Sequence, residues 1–508
     1  MNNLSLLFHG MESLITVQNM IACVAGSFLG LIVGALPGLG CISGCALLLP
    51  LTFSMNPVTG ITMLGSLYYS TMFGGAYSSI LLNIPGEAAA VMTTMDGYPM
   101  AKGGRPGAAL FTSISSSFIG GLIGLSFLTL LGPVLARVGL SFGPPEMAAL
   151  MILALTSIGW LMGENPVKGL ISAMLGLILA TIGMDAIVGS PRYHFGNTFL
   201  LGGLDFAAVG IGLFGFSQVL QLIEQRNDAV DIDKAFTKEM LSFKNSVLKK
   251  EDWRRILPPA IRSGIFGPMI GSIPGAGATT ATFLCYSMQK LFKSSKPLGT
   301  GAIEGLAACE SANNAAAAGA FAPMLSLGIP GSATTALLLS ALMVWGLQPG
   351  PLLFTNNSEF AWSTIAALFL SNMICLIMCA FMSQFMIRIL KVPAKYMIPA
   401  ITFVCFVGSF AISNSTYGIV VMIATGLLGY VMEKYKYPLA PLLLAFVLEP
   451  MFEQNVRKTL LMSQGSVSIF FAKPISLVIF ILLAVLLLTP LIRSIVIKNR
   501  KRQTENRE

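Results

Sequence analysis

Four short stretches of this chain place a proline among glycines inside otherwise apolar sequence: Leu36-Pro37-Gly38-Leu39-Gly40, Asn83-Ile84-Pro85-Gly86, Ile273-Pro274-Gly275-Ala276-Gly277 and Gly328-Ile329-Pro330-Gly331. Proline removes a backbone donor and clashes with the preceding turn, while glycine frees the backbone, so each stretch should interrupt a helix. A helix restarting after such a break aims unpaired N–H groups and the positive end of its dipole forward, which suits an anion. The unwound carbonyls suit a cation such as sodium. Hydroxyls and amides that can hold either charge lie close by. The candidate substrate contacts are therefore Pro37, Gly38, Gly40, Ser78, Ser79, Asn83, Pro85 and Gly86 in the first half, and Pro274, Gly275, Gly277, Thr279, Pro330, Gly331, Ser332 and Thr334 in the second. Glu310, with Asn313 and Asn314 on adjacent faces of the next turn, is the candidate to bind a coupling ion or relay a proton, because an acid inside a membrane is costly and usually functional. Glu87 stands where a half-helix begins, a favourable place for its charge. Glu304 reads more simply as a helix-end acid near a basic loop. A lone Gly-Pro break is most simply a packing kink. Four in two matched pairs point to a site.

The elements that must position these residues are membrane helices. Of 508 residues 55% are hydrophobic and 10% are charged, against roughly 25% charged in a soluble domain. This excludes a soluble enzyme, a secreted domain and a disordered chain. Apolar runs long enough for a bilayer, about 20 residues each, recur near 14–36, 56–80, 107–134, 144–162, 167–188 and 199–222, then near 258–290, 300–346, 361–387, 397–412, 416–432, 437–453 and 474–497. Between them 223–262 carries nine Lys or Arg and seven acids and reads as a cytoplasmic linker, an amphipathic helix on the membrane surface. The net charge of +9 reflects basic cytoplasmic loops and a basic tail, not nucleic-acid binding. The N-terminus lacks the basic region and small-residue cleavage pattern of a removable signal. The eight cysteines sit in apolar stretches without metal-ligand neighbours, and only His9 and His194 are histidines, so a His-based metal site is nearly excluded by count.

The chain repeats itself. Gly34 to Gly40 reappears as Gly271 to Gly277 at an offset of 237, and Leu82 to Gly86 as Leu327 to Gly331 at 245. Loop charges swap between the copies. Met1–Ser13 has no Lys or Arg, whereas its counterpart near 249–262 is strongly basic. Ser54–Gly60 is uncharged, whereas its counterpart has Lys290, Lys293 and Lys296. Asp96–Gly107 carries Lys102 and Arg105, whereas 347–360 carries none. Basic loops stay in the cytoplasm, so the halves should be inverted relative to each other. Arg457, Lys458 and Lys473 fit this count less cleanly. The expected fold is an all-α polytopic membrane protein of 11–15 membrane segments in two inverted-topology repeats with broken or re-entrant helices. Its parts are a first repeat at 1–222, the linker at 223–262, a second repeat at 263–453, and an extra C-terminal helix with a basic tail at 454–508.

The motifs GALPGLG at 34–40, YYSTMFGGAYSSILLNIPGEAAAVMTTMDGYPMAKGG at 68–104, GSIPGAGATTATF at 271–283, EGLAACESANNAAAAGAF at 304–321 and LGIPGSATTALLLSALMVWGLQPGP at 327–351 resemble the large membrane subunit of the bacterial tripartite tricarboxylate transporters, the TctA family. The resemblance implies a multi-pass protein of the bacterial inner membrane. It implies a small membrane subunit and a periplasmic substrate-binding protein as partners, a carboxylate such as citrate as cargo, and a sodium or proton gradient as the driving force. No cofactor is implied beyond sodium as a coupling ion.

Other functions find less support. GxxxxGK[ST], HExxH and GxSxG are all absent, so neither ATP-driven transport by this chain alone nor intramembrane catalysis is expected. The alternative to a secondary transporter is a passive channel for small anions, which would need a continuous polar path.

Overall fold

The computed structural model describes residues 3–36, 38–161, 165–185, 187–225, 247–390, 392–485 and 487. Pro37, most of the linker (226–246) and the basic tail (488–508) therefore lie outside the described residues. The rest is helical: α1 Asn3–Leu14, α2 Val17–Ala35, α3 Cys41–Thr52, α4 Pro57–Leu82, α5 Val91–Lys102, α6 Pro106–Gly139, α7 Pro144–Leu161, α8 Pro166–Ala180, α9 Phe206–Gly210 and α10 Ser217–Gln225, with Ile211–Phe216 a π-helical segment between the last two. In the second half come α11 Lys250–Gly271, α12 Gly277–Gln289, α13 Ile303–Leu327, α14 Ala333–Val344, α15 Leu353–Asn356, α16 Ser358–Ile389, α17 Ala394–Ser413, α18 Thr416–Lys434, α19 Leu439–Met462 and α20 Ile469–Ala472. An apolar helix over Pro474–Val485 follows. The all-α expectation holds apart from a two-residue ladder, β1 Gly183–Met184 with β2 Pro191–Arg192. Residues 250–262, read from sequence with the linker, are already part of α11.

Five helices among the described residues are long and apolar enough to cross a membrane: Val17–Ala35, Pro106–Gly139, Phe206–Glu224, Ser358–Ser383 and Thr416–Lys434. The chain is thus a multi-spanning helical bundle. α4 and α13 are comparably long but carry Ser, Thr, Tyr, Asn and Glu. They can do so because protein surrounds them: every residue from Gly60 to Leu81 and from Ile303 to Ser326 is buried. They form the core against which the apolar helices pack.

Small residues set how closely that core packs. A Cβ built on Gly30 would strike Leu67 and Ser70 of α4, and one on Gly34 would strike Thr71. In the second half a Cβ on Gly267 would meet Ala312 and Ala315 of α13, and one on Gly271 would meet Ala316. Leu67, Ser70 and Thr71 plus 245 are residues 312, 315 and 316, so the α2–α4 and α11–α13 interfaces use equivalent positions.

The bundle has two distinguishable ends. At one, Gly60 packs against Trp345, and Gly139 against Leu327 and Pro351. At the other, Arg105 pairs with Asp252 at 2.8 Å, and the 290–302 loop closes over α5. Asp96 makes that closure. Its Oδ1 accepts from the amides of Gly299, Gly301 and Ala302 at 2.9, 2.9 and 2.8 Å, and its Oδ2 from the Tyr286 hydroxyl at 2.8 Å. Gly299 and Gly301 have φ of +90° and +95°, which only glycine adopts readily. Replacing Asp96 with Ala orphans two buried amides and a half-buried one just before α13 and is expected to cost about 3 kcal/mol. Asp96→Asn keeps the Oδ1 acceptor and should cost about 1 kcal/mol. Equilibrium unfolding in mixed SDS micelles checks both values and their order.

Candidate functional site

Each Gly-Pro stretch interrupts a helix, and equivalent positions bend alike. Gly38 and Gly275 have φ of +90° and +80°, and Gly40 and Gly277 have +45° and +57°. These turns separate α2 from α3 and α11 from α12. α4 ends on Asn83 at φ +57° and α13 on Gly328 at φ +72°. Both are left-handed caps, and asparagine is the residue besides glycine that tolerates this conformation best. The next amide reaches back across each cap, Ile84 N to Ser78 O at 3.4 Å and Ile329 N to Pro323 O at 3.2 Å. The chain then runs back inward. A Cβ on Gly86 would strike the Gly34 carbonyl, and one on Gly331 the Gly271 carbonyl at 2.7 Å. The Gly275 amide donates to Gly331 O at 3.2 Å, joining two breaks of the second half directly.

After these inward runs new helices start. Ser332 caps α14: Thr335 N donates to Ser332 Oγ at 3.2 Å, and Ser332 N to Thr335 Oγ1 at 2.8 Å. At the equivalent place Glu87 precedes the 3₁₀ turn Ala88–Ala90 that leads into α5, and it is buried. The two starts meet the opposite half. The Tyr68 hydroxyl lies 3.4 Å from Ser332 Oγ, and Asn313 Nδ2 donates to Glu87 Oε1 at 3.3 Å. Tyr68 and Asn313 are 245 apart, as are Glu87 and Ser332, so one contact is the counterpart of the other. Cys41, the first residue of α3, donates its thiol to the Tyr68 carbonyl at 3.8 Å, and a Cβ built on Gly277 would lie 3.6 Å from that of Ser332. The starts of α3, α12 and α14 and of the turn before α5 thus gather around one centre.

Glu310 lies in α13, one turn from Asn314, and is fully buried. Thr93 of α5 donates to its Oε1; Ser113 and Ser117 of α6 donate to its Oε2 at 2.8 and 2.9 Å. It forms no ion pair among the described residues. A carboxylate supplied by the second half is therefore held by three hydroxyls from the first.

The sequence-read residues distribute unevenly. Pro85, Gly86, Gly275, Gly277, Pro330, Gly331, Ser332 and Thr334 belong to the gathered centre, together with Glu310, Asn313 and Asn314 nearby. Ser78 and Ser79 flank it, with hydroxyls bonded to Gly75 O at 3.3 and 2.9 Å; that of Ser79 also reaches Ala90 O at 3.1 Å. The Pro274 carbonyl accepts from Ser157 at 2.9 Å. Gly38, Asn83 and Thr279 are exposed rather than buried or half-buried with the others. Pro37 lies outside the described residues. Glu304 accepts from Ser295 N at 3.1 Å and Ser295 Oγ at 2.8 Å, closing its own loop. Sequence reasoning passed over Tyr68, Thr93, Asp96, Ser113 and Ser117. The only advance signal was the hydroxyl-rich run Thr112-Ser113-Ile114-Ser115-Ser116-Ser117 within an apolar helix.

A multi-spanning bundle whose broken helices converge on a buried polar centre is the construction of a membrane transport protein. The sequence profile of the Tripartite tricarboxylate transporter TctA family matches residues 20–444. Two relatives from Agrobacterium vitis are similar. An "Uncharacterized 52.8 kDa protein in TAR-I ttuC' 3'region" is 36% identical over 497 residues, covering 97% of each chain. An "Uncharacterized protein in TAR-II ttuC' 3'region" is 36% identical over 232 residues, 45% of this chain and 96% of that one. No solved structure matches. The chain belongs to the TctA family. It is a multi-pass inner-membrane protein with a role in transporting small anions, not an enzyme.

Proposed function

We propose that this chain is the membrane component of a secondary transporter that imports organic carboxylate anions, tricarboxylates or related acids, driven by a sodium or proton gradient. A periplasmic binding protein delivers the cargo, and a small membrane subunit completes the system. The observation that carries the reading is the paired contact across the centre, Tyr68 with Ser332 and Asn313 with Glu87. It joins equivalent positions of two halves around the helix starts best placed to hold an anion. The glycine contacts repeated at matching offsets support a duplicated unit, with repeats at 1–222 and 263–453, a cytoplasmic linker at 223–262 and an added C-terminal helix and tail at 454–508.

Inversion of the halves is supported by where their connections fall. The α3–α4 link packs near Trp345 at the end whose loops, 53–60 and 345–351, lack Lys and Arg. The corresponding α12–α13 link lies at the other end, with Lys290, Lys293, Lys296 and Arg105. By charge bias that second end is cytoplasmic. Single cysteines at 55 and 348 should react with an impermeant maleimide from outside, and cysteines at 102 and 296 only after permeabilisation. Reaction of all four from one side would refute inversion.

In this mechanism the starts of α3, α12 and α14, the last capped by Ser332, bind the carboxylates. The coupling ion binds near Glu310, Asn313 and Asn314 and offsets the cargo's charge. One repeat then moves against the other to change the side of access. Transport by the reconstituted system, with binding protein and small subunit present, tests it. Citrate and related acids should accumulate above equilibrium under an imposed sodium or proton gradient and stop accumulating when it is collapsed. Purely downhill, gradient-independent flux would favour the channel reading.

A further inference from the structure

We infer that Tyr69, Asn314 and Asn372 form a sodium site in the protein interior, one helical turn from Glu310. This deepens the coupling-ion reading and rests on it for its role in transport.

Several polar atoms in the core lack partners. Tyr69 Oη, both polar atoms of the Asn314 amide and Asn372 Oδ1 are buried and make no hydrogen bond, and Asn313 Oδ1 is in the same state. All four residues are at most 1% exposed. Buried polar groups are nearly always satisfied, and an unpaired one points to a water or ion that completes it. The oxygens of Tyr69 and Asn372 are neighbours. A Cβ built on Gly121 of α6 would strike the Tyr69 hydroxyl and come within 2.6 Å of Asn372 Oδ1, so both oxygens flank the same glycine. Gly120 packs on Ser311 and Gly124 on Ala315, so Asn314 lies level with Gly121 and its amide is beside the Tyr69 hydroxyl. Asn372 Nδ2 donates to the Phe118 carbonyl at 3.2 Å, which fixes the amide so that its oxygen faces the cluster.

The composition of the cluster decides the ligand. Three of the four unpaired atoms of Tyr69, Asn314 and Asn372 are oxygens, the ligands of hard cations. Among the described residues no group of three His, Cys, Asp or Glu could hold a metal ion, so the cluster lacks the charge that a divalent ion would call for. Glu310 lies four residues before Asn314 on the same helix and has no ion-pair partner among the described residues. A monovalent cation beside it compensates that charge. Gly121 leaves the space open, and Asn372 supplies an oxygen from α16, far from every sequence motif.

The test uses the purified full chain in detergent, titrated with sodium chloride against choline chloride at constant ionic strength and followed by thermal unfolding. Sodium should raise the unfolding temperature saturably. Tyr69→Phe removes one oxygen and no packing volume; it should weaken the half-saturating sodium concentration tenfold or more and leave the unfolding temperature in choline unchanged. Asn372→Ala should weaken sodium similarly. Equal stabilisation by sodium and choline, or wild-type sodium affinity in both variants, would overturn the site. The transport reading is judged separately. Should both variants lose sodium binding while wild-type uptake ignores a sodium gradient, the site stands and sodium coupling falls. Should Tyr69→Phe follow a sodium gradient as the wild type does, the site falls and coupling stands.

Discussion

Gly331→Ala is expected to lower gradient-driven uptake by about 100-fold or more, corresponding to about 3 kcal/mol, while membrane insertion stays intact. The added methyl would lie 2.7 Å from the Gly271 carbonyl oxygen and 2.9 Å from Ala320 Cα. Both are backbone atoms inside packed helices, so no side chain can swing aside to make room. Relief requires the inward-running strand to move outward. That would break the hydrogen bond from Gly275 N to Gly331 O and carry the Ser332 cap of α14 off the centre. Gly86→Ala should do the same in the first half, where its Cβ would strike the Gly34 carbonyl and displace Glu87. Gly202→Ala is the control, since that position is exposed, has no left-handed φ and meets nothing within 4 Å. The measurement is initial uptake normalised to the amount of protein in the membrane. Wild-type uptake by Gly331→Ala and Gly86→Ala would remove the inward-running loops from the transport site.

The second large effect concerns Glu310. Glu310→Gln should reduce gradient-driven accumulation about 100-fold and flatten its dependence on sodium and on pH, while exchange of internal for external substrate persists. The reason is electrostatic. The carboxylate accepts hydrogen bonds from Thr93, Ser113 and Ser117, an arrangement that stabilises a negative charge in a medium that otherwise opposes it. Glutamine has nearly the same shape but no charge to pair with a cation or take up a proton, and its NH₂ would confront a hydroxyl that now donates. Exchange needs only a loaded carrier that reorients, so it should survive a coupling defect. Comparison of net uptake with counterflow in the same vesicles separates the two. An unchanged ion and pH profile would leave Glu310 a structural residue that ties α13 to α5 and α6.

The breaks and the caps were legible because they are local. Proline and glycine act on the backbone at the position where they stand, whatever surrounds them. Four Gly-Pro stretches within apolar runs therefore announced interrupted helices before any packing was known. The repeated motifs were legible for a related reason: equivalent glycines are needed wherever two helices touch along their backbones, so contacts made twice leave the same residues twice. Gly30 with Gly267 and Gly74 with Gly319 are such pairs, and each faces the equivalent helix in its own half. Thr279 shows where local reasoning stops. It follows a break, but which side of α12 it occupies depends on the rotation of that helix against its neighbours, and that rotation leaves it exposed.

By itself, then, the amino-acid order determined that the chain lives in a membrane, that its helices break at matched places, and that an acid and two amides sit on an otherwise apolar helix. These follow from composition and backbone stereochemistry, which need no neighbours. Only the tertiary structure decided which groups meet. Thr93 and Glu310 are 217 residues apart, Tyr68 and Ser332 are 264 apart, and Asp96 reaches the 290–302 loop across more than 200. Such partners are selected by helix rotation and close packing across the interface of the halves. Many arrangements of the same apolar faces would bury similar area, and the one adopted is chosen by where glycine lets backbones touch and where each buried polar group finds a partner.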